Sequence, residues 1–184
     1  MKQLLSVILL AVLFTGFINA QSKMAVGIQA GIALPMGDFG DGYDMGFGGT
    51  ATFAYHINPM IDITGSVGYL TWSGKEADYK FSSIPVLVGA RYYFGQGKFL
   101  PYVAAELGMH FTTVDVPEVV IPGYGTVGGG SASDSFFGFG AGAGFLYQLS
   151  PKLNLDVNAK FSSISSSGSS SSYINVMAGV LIAL

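Results

Sequence analysis

The sequence predicts an all-β fold: a single eight-stranded antiparallel up-and-down transmembrane β-barrel. Three observations predict it. The chain of 184 residues is 50% hydrophobic but only 10% charged, against about 25% charged in a typical soluble domain. Its mean hydropathy is +0.50, yet nothing after residue 20 is an apolar run of the roughly 20 residues that a membrane-spanning helix requires. From Met24 onward, apolar residues instead alternate with small or polar ones at a period of two, as strands do. A hydrophobic chain without a spanning helix must still pair every backbone group in lipid, and a closed barrel achieves this. At about 100–200 residues per domain the length fits one domain. The hydrophobicity excludes disorder.

The first twenty residues read differently from the rest. Lys2 supplies a positive start, Leu4 to Phe14 an apolar run, and Ile18-Asn19-Ala20 a small-residue cleavage site, the plan of a secretory signal. The expected organisation is therefore a signal peptide over 1–20 and a barrel over 21–184. The chain has no cysteine, which excludes disulfides, thiolate metal sites, a cysteine nucleophile and a lipoprotein anchor. Removal of residues 1–20 takes away one base, leaving a mature net charge of −4.

Eight alternating segments follow, each close to the 9–11 residues of a tilted membrane strand. They are Met24–Leu34, Phe47–His56, Met60–Trp72, Ile84–Phe94, Leu100–Thr112, Ser135–Leu149, Leu153–Ser162 and Ser172–Leu184. One face is apolar. In the fourth segment it reads Ile84, Val86, Val88, Ala90, Tyr92 and Phe94; in the eighth, Ile174, Val176, Ala178, Val180, Ile182 and Leu184. The other face gathers the charges with Gly, Ser and Thr: Asp62, Thr64 and Ser66, then Arg91 and Tyr93, then Glu106 and His110, then Asn154, Asp156, Asn158 and Lys160. A soluble ligand-binding barrel would place charge outside and an apolar cavity inside. The observed pattern predicts lipid outside and a polar lumen. The sixth segment turns Gly138, Gly140, Gly142 and Gly144 inward, leaving room for bulky neighbours or for a bend.

The connections alternate as well. Those after segments two, four and six are short, and those after one, three, five and seven run to roughly 8 to 22 residues. Short periplasmic turns and long extracellular loops are the asymmetry of outer-membrane barrels, so both termini are expected on the periplasmic side. Tyr55, Tyr92, Phe94 and Tyr147 at one end, and Phe47, Tyr69, Phe111, Phe137 and Phe161 at the other, form two aromatic girdles.

Three stretches carry a resemblance: Ala33-Leu34-Pro35-Met36-Gly37-Asp38-Phe39, Gly89-Ala90-Arg91-Tyr92-Tyr93-Phe94, and Pro101-Tyr102-Val103-Ala104-Ala105-Glu106-Leu107-Gly108. The chain resembles the small outer-membrane β-barrel domain family, broadly the OmpA-, OmpX- and OmpW-like proteins, over its whole mature length. The resemblance implies an integral outer-membrane location, outer-membrane lipid and lipopolysaccharide as surroundings, and insertion by the barrel assembly machinery. Proteobacterial members commonly end in an aromatic residue, where this chain has Leu184. The peptidoglycan-binding domain that often follows such barrels is not expected here.

The candidate functional residues are those of the lumen: Asp62, Arg91, Glu106, His110, Asp156 and Lys160. Asp62 and Arg91, on neighbouring strands at similar height, are expected to pair, and Glu106 and Lys160 to approach across the lumen. An eight-stranded barrel is just wide enough for its own side chains to fill, which predicts a plug of hydrogen-bonded ion pairs. Its alternative is a gate whose pairs switch to admit small solutes. A third reading is a lipid-modifying enzyme, for which only His110 near the outer rim, with Ser162 and Ser163, offers components; His56 lies at the other end. No enzyme activity and no cofactor are expected.

Charge separates the two ends. The first loop holds Asp38, Asp41 and Asp44, at a spacing unlike that of an EF-hand; it is expected to be a solvated acidic loop, with divalent cations the alternative. The second balances Lys75 and Lys80 against Glu76 and Asp78. The third adds Asp115, Glu118 and Asp134, whereas Lys23, Lys98 and Lys152 mark the periplasmic end. An acidic outer end argues against nucleic acid or other polyanions as partners. Divalent cations could bridge it to lipopolysaccharide phosphates. The apolar run Val116 to Pro122 is expected to extend its hairpin above the membrane and pack on a neighbouring loop, with a partner surface as the alternative. Ser163 to Ser172 is expected to be a flexible spacer. No extracellular partner is named by the sequence.

Overall fold

The computed structural model describes residues 23–75, 79–95, 97–121, 125–166 and 169–184. The segment expected to be a signal peptide, and Glu76 and Asp78 of the second loop, lie outside them. Eight strands close in sequence order into an antiparallel barrel. They are β1 (Met24–Met36), β2 (Gly46–Asn58), β3 (Ile61–Ser73), β4 (Lys80–Tyr93), β5 (Phe99–Ile121), β6 (Gly125–Gln148), β7 (Leu153–Ser166) and β8 (Ser169–Ala183). β1 pairs with β8 from Ala25 opposite Ala183 to Met36 opposite Ser172, which closes the sheet and leaves no edge within the membrane-crossing part. Among the described residues no helix is long and apolar enough to cross a membrane.

The pleat divides the side chains as the alternation requires. Ile28, Val67, Val88, Leu107 and Phe139 are about half exposed on the outer surface, whereas Asp62, Arg91, His110, Asp156 and Asn158 are buried inside. This inversion of the soluble pattern is what lipid selects, because hydrocarbon solvates the apolar face while the ladder satisfies the backbone.

Of the last two long connections, one follows expectation and one departs from it. The third is no loop: β5 and β6 continue as a ladder to Ile121 opposite Gly125. Their barrel neighbours stop earlier, β4 at Lys80 opposite Asp115 and β7 at Ser165 opposite Phe137. From Val116 to Ile121 the apolar run thus extends its hairpin beyond the barrel wall, as expected, and Pro122 lies outside the described residues. The fourth, expected to be a flexible spacer, is strand throughout its described residues, Ser167 and Gly168 lying outside them. Serines pair across β7 and β8 as far as Ser166 opposite Ser169, and Ile164 is buried in the core. A strand already held by a neighbour keeps its ladder after it leaves lipid, and serine is no obstacle to that.

The first loop folds back over the rim. Gly37 takes φ 58°, a left-handed conformation open to glycine, and turns the chain into a single helical turn, α1 (Asp38–Gly42). Phe39 is buried by it. The loop is tied down by Lys75, whose backbone N–H donates to the Gly42 carbonyl at 3.0 Å and whose Nζ donates to the Gly40 carbonyl at 2.5 Å. Phe39 thus docks the segment, while Asp38, Asp41 and Asp44 stay exposed, as a solvated acidic loop requires.

Candidate functional site in the barrel lumen

The lumen is built in three layers. At the short-turn end Ala25, Ala54, Tyr93, Tyr102, Leu146 and Leu181 pack together. At the long-loop end Leu70, Trp72, Ile164, Tyr173 and Met177 gather around Phe39. Trp72 meets Phe39 and Tyr173 edge-on, at centroid distances of 5.4 and 5.2 Å, and its Nε1 donates to the Ala33 carbonyl at 3.0 Å. Between these apolar layers lies the polar band.

All six candidate residues point inward, but they do not all meet as the sequence suggests. Asp62 and Arg91 are direct partners in the β3–β4 ladder, yet they are not joined by a salt bridge. Arg91 Nη1 reaches across the lumen to Asp156 Oδ2 at 2.8 Å. The other Asp156 oxygen accepts from the Tyr102 hydroxyl at 2.6 Å, and the guanidinium stacks over the Tyr102 ring at 4.9 Å. Asp62 accepts instead from Tyr93 OH at 2.8 Å and pairs with His56 Nδ1 at 2.5 Å. The physical reason lies in length and saturation. The long guanidinium spans a narrow barrel, and both Asp62 oxygens already hold partners. A buried carboxylate is stable only when so satisfied.

Lys160 Nζ donates to both Glu106 oxygens, at 2.8 and 2.7 Å. The two residues stand on β5 and β7, with β6 between them, and its glycines make the contact possible. Gly140 faces Glu106, and Gly142 faces Lys160. A Cβ on Gly142 would come within 2.8 Å of Lys160 Cγ, and one on Gly144 within 2.8 Å of Tyr102 Cζ. The row of inward glycines is thus a trough in the wall that receives Tyr102, Glu106, Lys160 and, at Gly138, the His110 ring.

His110 is 1% exposed, and its Nδ1 lies 3.2 Å from Ser83 Oγ. Ser162 and Ser163 are bonded elsewhere, to Asn175 and Ser172. A nucleophile needs a base within reach and an open face for substrate; His110 and Ser83 lie in the packed interior. Among the described residues, no group of three or more His, Asp or Glu is brought together to hold a metal ion.

Sequence reasoning missed three members of the network: His56, Tyr93 and Tyr102. For His56 the signal was present, since it sits opposite Asp62 across a short turn. Parity also turned Tyr93 and Tyr102 inward, but which carboxylate each serves depends on the barrel's diameter. Between the ion pairs remains a cavity of about 10 Å³ lined by Thr52, Thr64, Ser66, Arg91, Glu106 and Asn158 among others, room for about one water molecule.

No curated protein sequence matches the chain. Among solved structures it is similar to Neisserial surface protein A (NspA), with a TM-score of 0.67 and 23% identity over 90% of this chain and 100% of that one. It is also similar to Ail, the attachment invasion locus protein of Yersinia pestis, with a TM-score of 0.56 and 16% identity over 89% and 100%. OprG of Pseudomonas aeruginosa gives a TM-score of 0.51 and 16% identity over 90% and 98%. At these identities the fold is what is shared. The family model for the outer membrane protein beta-barrel domain matches residues 5–180, and the chain accordingly belongs to that family of outer-membrane β-barrels.

Proposed function

We propose that this protein is a closed, non-enzymatic barrel of the outer membrane that contributes to envelope integrity and presents its long-loop end for surface interaction. The observation that carries this reading is the filled lumen. Two ion pairs cross it, an apolar layer lies at each end, and the cavity between the pairs has room for about one water molecule. An ion crossing it would have to break a desolvated pair, and freeing one member of such a pair costs about 3–5 kcal/mol. The β5–β6 hairpin, paired on one side only beyond Asp115, is the part that extends furthest from the wall.

Residues 1–20 act as the export signal in this reading. The short-turn end, with Lys23, Lys98 and Lys152, faces the periplasm, where the assembly machinery receives the chain. Intact mass of the membrane-inserted protein should correspond to a chain beginning at Gln21; a mass retaining Met1 would overturn the signal assignment.

The decisive experiment is planar-bilayer recording of the folded barrel, with folding verified by a heat-dependent gel shift. A silent barrel is the expected result. Discrete openings altered by Arg91→Ala or Lys160→Ala would make it a channel instead.

A further inference from the structure

On the outer wall of β3 to β6, the register sets four hydroxyl side chains side by side. Thr71 faces Ser82, Ser82 faces Thr113, and Thr113 faces Ser133. They bond laterally: Ser82 Oγ to Thr71 Oγ1 at 3.3 Å, and Thr113 Oγ1 to Ser133 Oγ at 3.0 Å. Tyr69 OH joins from below, 3.0 Å from Ser82 Oγ. Directly beneath stand the outward-facing Ile84 and Phe111. Tyr69, Ser82, Ile84, Phe111, Thr113 and Ser133 line an open groove of about 480 Å³, with Thr71 bonded to Ser82 beside it.

Three features define what fits there. Its depth is that of the outer aromatic girdle, where headgroups meet acyl chains, because Tyr69 and Phe111 stand at its lower edge. The hydroxyls both donate and accept, and Tyr69 and Phe111 offer flat apolar faces beside them. The charge balance disfavours phosphate. Asp134 is the one charged residue among those lining the groove, and Lys80, one rung further out, faces Asp115. A neutral polyhydroxyl head above apolar tails matches all three. β1, by contrast, ends its outer face in Leu34 and Met36, both exposed.

We propose that this groove is a binding site for the neutral sugar headgroup of an outer-leaflet glycolipid, whose acyl chains run down over Ile84 and Phe111. The site rests on the membrane orientation proposed above, and is independent of whether the lumen conducts.

The test places the folded full-length mature barrel in phosphatidylcholine nanodiscs. Each preparation carries a small fraction of diglucosyl diacylglycerol or of phosphatidylglycerol with the same acyl chains. Lipid retained by the barrel is then quantified by mass spectrometry. The glycolipid should be enriched about tenfold over phosphatidylglycerol, the factor that about 1.4 kcal/mol of net hydrogen bonding supplies. The triple variant Ser82→Ala, Thr113→Val, Ser133→Ala should lose the enrichment, and Thr113→Val alone should reduce it. Equal retention of the two lipids, preferential retention of phosphatidylglycerol, or enrichment that survives the triple variant would overturn the site. A barrel that stays silent in bilayers but enriches neither lipid would overturn this site alone.

Discussion

The two ends of the lumen are closed by different means. Towards the short turns, the apolar layer is tied to the polar band by ionic and hydrogen bonds: Arg91 with Asp156 and Tyr102, and Asp62 with Tyr93 and His56, the two tyrosines belonging to both. Every one of these groups is carried on a strand of the barrel wall. Towards the long loops, closure is aromatic, and its central residue, Phe39, comes from a loop that doubles back into the barrel mouth. The first closure is built into the sheet and cannot be opened without leaving a charge stranded. The second is a docked lid, held by Trp72 and Phe81 packing against the Phe39 ring and by the backbone and side chain of Lys75.

The sharpest way to break the comparison is Arg91→Ala. It leaves Asp156 1% exposed with its cationic partner gone, and stranding a buried charge costs about 3–5 kcal/mol. Urea unfolding in lipid vesicles should show a loss of that size. The double variant Arg91→Met, Asp156→Leu should recover most of it, because an apolar pair of similar volume removes the stranded charge along with its partner. If the double variant were no more stable than the single one, the ionic closure would not be what stabilises that end.

Phe39→Ala tests the lid. Its loss should be about 3 kcal/mol, the low end for removing a buried phenyl ring, because a lid at the barrel mouth collapses or admits water more readily than a core. The effect should also be local. Hydrogen exchange should quicken for the Asp44 and Lys75 amides, which bond across the rim, while the Tyr93 amide, bonded at the other end, keeps its protection. Equal loosening at both ends would mean that the two closures form one cooperative unit.

This contrast also marks what the sequence disclosed. Period-two alternation gave each strand its lipid and lumen faces because lipid enforces it residue by residue. It therefore reported correct parity for Asp62, Arg91, Glu106, His110, Asp156 and Lys160. It fell silent where that enforcement stops. Ser163 to Ser172 alternate nothing, yet the ladder runs on through Ser166 and Ser169. The long β5–β6 hairpin was legible only through the apolar run that begins at Val116, not through alternation. Pairing across the lumen was only partly legible. Glu106 with Lys160 followed from the narrowness of the lumen, whereas similar height misled for Asp62: Arg91 chose the distant Asp156 over it, a choice set by side-chain reach and by the tyrosines. The lid was illegible, since a phenylalanine among aspartates and glycines carries no period.

The trough in β6 offers the finest test, because it separates space from charge. Gly144 is inward-facing opposite Tyr102 in the β5–β6 ladder, and a Cβ there would stand 2.8 Å from Tyr102 Cζ, 2.7 Å from Asn158 Cβ and close upon the Val157 carbonyl. Tyr102 cannot simply swing aside, since its hydroxyl is held by Asp156 and its ring by the guanidinium of Arg91. Gly144→Ala should thus cost about 1–3 kcal/mol, the usual range for overpacking, and should do so by disturbing the ionic closure. Combined with Tyr102→Leu, which removes the ring tip that the new methyl group meets, the penalty of Gly144→Ala should shrink, giving a coupling of about 0.5–3 kcal/mol in a double-mutant cycle. Strict additivity would place the strain on the Val157 backbone instead, and the glycine row would then serve close approach of β6 to β7 more than room for the tyrosine.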